Sequence, residues 1–227
     1  VSFELAVWHE PEPITREHAE SVYRALRRGE PEAAAADPGA AGPAAEAQSA
    51  AVGTPSAAVE APPGVAAFAA RLPEAVLLSP AHALVVVEVE RADEVAGAAF
   101  ALARECGLVC YDPQRRLVHN PGPAGAHPGM QLHTGDGMIV TDPDLGLVRD
   151  VPATLSPENP FAALVVFGEH FVQASPEAGG YELEYKDSRR GLMLRTHVPA
   201  LEAVRDAFAE YAAGGRGFLD RHEWQRV

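Results

Sequence analysis

The chain has 227 residues, 47% of them hydrophobic, and a formal net charge of −14. That length suits one large domain or two small ones, each with its own core, and no apolar run reaches the roughly 18–20 residues of a membrane span. The charge is −8 over residues 1–118 and −6 over 119–227, so both halves repel nucleic acid and anionic membranes and attract basic partners.

In chain order, "SFELAVW" (2–8) alternates Phe3, Leu5 and Val7 on one face and predicts a strand. Thr15 is an N-cap for a helix whose buried face is Ala19, Val22, Tyr23 and Leu26. Arg27 and Arg28 suit its last turn and Gly29 its end. Residues 30–62 hold no aromatic, Leu or Ile and are expected as a flexible insertion, because they lack the apolar surface to offset ordering entropy. A helix over 64–75 and a strand over 83–90 follow. A helix over 93–106 is expected, with Asp93 as cap and Gly107 at its left-handed end, and then a strand over 108–111. "ECGLVCYDPQRRL" (105–117) carries both cysteines. The C-x3-C spacing is wrong for zinc and for a redox pair, so Cys106 and Cys110 are read as buried structural thiols.

Pro and Gly over 118–129 suggest a linker between halves. A hairpin is expected around "GDG" (135–137), then helical turns in 142–155, strands over 159–168, 170–175, 181–186 and 192–197, and a helix after Pro199. The short Gly-containing joiners make the pairing antiparallel. The fold class is therefore α+β: two small domains (1–117 and 130–227), each a sheet with helices on one side, the second mainly antiparallel.

No nucleophile elbow, zinc-protease helix, P-loop or dinucleotide fingerprint occurs. His119, His127 and His133 have no metal-ligand spacing and read as solvated. Asp136, Asp142 and Asp144 lack the glutamate that a calcium loop requires, and turn chemistry accounts for them. Glu182 and Glu184, at period two on one strand, read as a solvated or partner-facing surface. No catalytic residue, metal or cofactor is expected.

The blocks "LAVW" and "GLVCYDPQ" resemble a small actinobacterial family without a known activity, over about residues 1–117. The second part, through "GYELEYKD", "ALEAVRDAFAEYAAGG" and "HEW", is similar to deaminase-associated immunity proteins of polymorphic toxin systems. That resemblance implies an acidic, non-enzymatic protein that binds and neutralises a cognate toxin or other basic protein. Glu169, Tyr181, Glu182, Glu184, Tyr185 and Asp187 are the expected contact residues. Two cysteines and an opening "VSFELAVWHE" without a leader pattern imply a reducing cytoplasm. A regulatory or scaffold protein with another cytosolic partner fits the same features, and an enzyme of unfamiliar type is the third reading.

Overall fold

In the computed structural model, residues 2–29 and 63–227 are described. The expected insertion at 30–62 lies outside them. The architecture is α+β, with one five-stranded and one seven-stranded sheet. Among the described residues, no helix is long and apolar enough to cross a membrane.

The first sheet uses β1 (Ser2–Trp8), β2 (Ala75–Ser79), β3 (His82–Glu88), β4 (Val109–Asp112) and β5 (Leu117–His119), in the order β2-β3-β1-β4-β5. Every neighbouring pair is antiparallel. β1 is central, so both of its faces need cover. On one face, Ala6 and Trp8 pack with Leu84, Val109 and Tyr111 under α1 (Arg16–Arg27), through Ala19, Val22 and Ala25. On the other, Phe3, Leu5 and Val7 meet Val65 and Phe68 of α2 (Pro63–Arg71) and Val95, Ala99 and Phe100 of α3 (Ala92–Glu105). The expectation of helices on one side only is corrected for this sheet. Its reason is the small-plus-aromatic pair Ala6 and Trp8, which makes the second face of β1 as apolar as the first.

Local signals behave as their chemistry dictates. Thr15 caps α1, its hydroxyl accepting from the His18 amide at 3.3 Å, and Gly29 follows the helix at φ +77°. α3 is entered through a single helical turn at Val89–Arg91, so Asp93 sits in the first turn and is not the cap; a carboxylate there still suits the helix dipole. β2 and β5 were not expected. β2 follows a helix that stops at Arg71, before the expected end at 75, and β5 is only three residues long.

The second sheet uses β6 (Gln131–Thr134), β7 (Ile139–Thr141), β8 (Ala162–Val166), β9 (His170–Glu177), β10 (Gly180–Asp187), β11 (Leu192–Val198) and β12 (Gln225–Arg226). The order is β12-β11-β10-β9-β8-β6-β7, antiparallel throughout. The hairpin around Gly135–Gly137 and the strand series occur where the alternation placed them. α4 (Leu145–Asp150), α5 (Leu201–Ala212) and the short α6 (Phe218–Arg221) complete the chain. α5 buries Val204, Ala207, Phe208 and Tyr211 against Leu183, Tyr185, Val172 and Val198, all on one face of the sheet.

Apolar residues of both sheets belong to one continuous cluster, running from Phe3 and Leu5 to Leu132, Leu164 and Phe208. The stretch expected as a linker starts inside this structure: Val118 and His119 complete β5 and Asn120 is buried. A polar clamp joins the two sheets. Arg115, in the β4–β5 turn, donates to Asp112 at 3.0 Å and to Asp136 of the β6–β7 turn at 2.7 Å. Asp112 is fully buried and also accepts from the Gln114 and Arg115 amides. "CYDPQRR" is therefore a turn with a buried ion pair. Cys110 is buried, which pushes its thiol pKa well up. Cys106 is only half-buried, against expectation, because it ends α3 instead of lying on its inner face.

Candidate functional site

The two faces of the seven-stranded sheet differ. The inner face carries Leu132, Leu164, Val172, Leu183 and Tyr185, packed against helices. The strand register places Gln131, Val165, Phe171, Lys186 and Met193 side by side on the other face, and a second row holds Ile139, His133, Ala163, Gln173, Glu184 and Arg195. Except for the small Ala163, these residues are half-buried or exposed. Ile139 is 51% exposed, and Phe167, whose ring meets that of His133, is 64% exposed.

The expected contact residues divide between these faces. Glu182 and Glu184 lie on the outer face and share Arg195, at 3.1 and 2.8 Å, while Gln173 donates to Glu184 at 3.3 Å. Tyr181 and Tyr185 point the other way. Tyr185 is 3% exposed and Tyr181 packs half-buried against the core. The expectation that all six form one surface is thus corrected: period-two alternation puts the tyrosines opposite the glutamates, and α5 covers the tyrosine side. Glu169 and Asp187 sit at the strand ends, paired with Arg189 and Arg190.

Behind Glu169 lies a ring cluster that sequence reasoning missed. His170 Nδ1 is 2.7 Å from the Tyr211 hydroxyl, which donates to the His170 carbonyl at 3.0 Å. Arg216 lies over the Tyr211 ring at 4.5 Å, contacts the His170 ring, and donates to the Tyr185 hydroxyl at 3.2 Å. His127 meets His170 edge to face, with its Nε2 buried and unpartnered. Burial, then Arg216 and His127, lowers the His170 pKa. Only the separate alternation of each element is visible in the sequence; no spacing links residues 127, 170, 211 and 216.

A cavity of about 290 Å³ lies between α3, β5 and the β6–β7 hairpin, lined by Phe100, Arg104, His119, Asn120, Ile139 and Asp144, among others. His119 is buried, not solvated as expected. It stacks on Phe100 at 3.7 Å, neither ring nitrogen has a partner, and burial drives its pKa down to about 3. Asp144 caps α4 by accepting from the Leu147 amide at 3.1 Å and also accepts from the Asn120 amide at 3.0 Å; burial raises its pKa to about 6. Asn120 in turn exchanges two hydrogen bonds with the backbone of Ile14, tying this loop to the approach to α1. Chemically, the cavity offers a neutral imidazole and a carboxyl group already occupied by backbone donors. Among the described residues, no group of three His, Cys, Asp or Glu side chains is arranged to hold a metal ion.

No protein-family model, curated protein or solved structure matches the chain.

Proposed function

We propose that this chain is a non-enzymatic, acidic partner-binding protein that neutralises a basic protein, such as a cognate toxin, in the cytoplasm. The observation that carries this reading is the outer face of the seven-stranded sheet. It offers Val165, Phe171 and Met193 in one cross-strand row, interrupted by Lys186 and flanked by the exposed Phe167, beside Glu184 of the next row and Glu182 of the row after it. Apolar anchors next to fixed polar groups are common material of a protein interface. Arg195 holds the two carboxylates in place, so a partner's arginine can join them without ordering them first. The net charge of −14 speeds the encounter with a basic partner and makes it sensitive to salt.

The contact set of this proposal is Phe167, Phe171, Glu182, Glu184 and Arg195. Glu169 and Asp187 lie at its border, and Tyr181 and Tyr185 support it from behind. The test is co-expression with each protein encoded beside this one. Rescue from toxicity, and a complex weakened by salt and at least tenfold by Phe171→Glu, are the expected results. A complex indifferent to Phe171→Glu and to salt overturns the reading.

A further inference from the structure

The four sheet edges are finished differently. β5 is buried along its whole length, β7 lies beside α3, and β12 is two residues long and ends the sheet with Arg226. The fourth edge is β2, and among the described residues no strand pairs with its outer side. Its sequence, AVLLS, has no charge and no proline, and Val76, Leu77 and Leu78 are 59%, 49% and 47% exposed. Natural edges usually carry a lysine, a proline, a β-bulge or a covering element, because bare backbone donors and acceptors template a further strand; of these, β2 has only a register shift between Leu77 and Ser79.

We infer that β2 is the interface for a second copy of this chain, the two β2 strands pairing antiparallel about a two-fold axis near Leu77 to join two five-stranded sheets into one of ten. Two observations select a second copy over another partner. The first is charge. On a chain of net −14, a charge-free contact surface adds no local like-charge repulsion when two copies meet. The charges flanking β2 are already neutralised, Glu74 by Arg91 at 2.8 Å and Arg71 by Glu105 at 2.7 Å. A basic or acidic partner finds nothing there to pair with, whereas AVLLS opposite AVLLS places Leu77 on Leu77 and Val76 on Leu78, with Ala75 opposite the uncharged Ser79. The second is the neighbouring helix. α2 packs beside β2, and its outward positions Ala66, Ala67 and Ala70 are small, uncharged and exposed. A two-fold axis at β2 brings α2 against its copy, and alanine lets two helices approach closely. An isologous strand-plus-helix contact of this kind is self-complementary by symmetry.

The test is sedimentation velocity from about 1 to 200 μM, with hydrogen exchange of the β2 amides at both ends of that range; an interface of one strand and one helix pair is small and binds on the order of micromolar. Expected are a monomer–dimer equilibrium, amides of residues 76–78 that become at least tenfold slower to exchange at the high concentration, and loss of both effects in Leu77→Lys. Because Leu77 is half-exposed, that variant keeps its fold, verified by an unchanged circular dichroism spectrum; Val76→Lys serves as the second variant. A monomer throughout, a dimer untouched by both variants, or β2 amides protected equally at all concentrations each overturns the inference.

Discussion

The two sheets obey the same alternation rule and end with different surfaces. β1 is covered on both faces, by α1 on one and by α2 and α3 on the other, whereas α5 covers one face of β10 and, among the described residues, no helix packs on the other. The difference lies in the residues between the apolar ones. Between Leu5 and Val7 stands Ala6, followed by Trp8; between Tyr181 and Leu183 stands Glu182, and between Leu183 and Tyr185 stands Glu184. An amphipathic strand supports one layer of helix, and a strand apolar on both sides demands two. Among the described residues, the core leaves this face unused, which is why the proposed partner is placed there.

The comparison breaks most sharply at the clamp between the sheets. Arg115→Ala leaves Asp112 and Asp136 without their common cation, and removing one member of a buried pair costs about 3–5 kcal/mol. Chemical denaturation is expected to show that loss, and a cost under about 1 kcal/mol would mean that the sheets hold together without the clamp. Next comes the contrast between faces. Leu5→Ala, in the doubly covered sheet, is expected to cost about 2–5 kcal/mol. Gln173→Ala, on the open face, is expected to cost under about 0.5 kcal/mol. Equal costs would mean that the open face is covered.

His119 gives a medium effect with a pH signature. Its folded pKa of about 3 lies below the ordinary 6.5, so the stability linked to it is complete above pH 6.5 and is lost as pH falls towards 3. Asp144, raised to about 6 from 3.8, runs the other way: the folded chain holds its proton longer, and stability linked to it is lost as pH rises through that window. His119→Phe keeps the stack on Phe100 and removes two unpartnered nitrogens. A gain of about 1–3 kcal/mol at pH 7 is expected, with the acid-side loss between pH 6.5 and 4 flattened or reversed by Asp144. Thermal melts at pH 7 and 4.5 measure both, and an unchanged acid slope would rule out His119 as its source. Arg195→Gln also has a small stability effect, under about 1 kcal/mol, because its ion pairs with Glu182 and Glu184 are surface pairs. Its effect on a partner complex is expected to exceed its effect on the melting temperature.

Much of this was legible in the residues. The cap at Thr15, the turn glycines, the hairpin at Gly135–Gly137 and the strands from Ala162 to Val198 follow from local chemistry and period-two alternation, as does the opposite facing of Glu182 and Tyr185. Those features depend on neighbours a few positions away. The burial of Tyr185 by α5, the joining of Arg115 to Asp136, the stacking of His119 on Phe100, and the cluster of His127, His170, Tyr211 and Arg216 bring together residues as far as 89 positions apart. No periodicity records such distances. Which face of a strand is covered, and which polar side chain is left inside without a partner, is decided only when the sheets close on their helices, because burial is a property of the packed whole and alternation is a property of the strand.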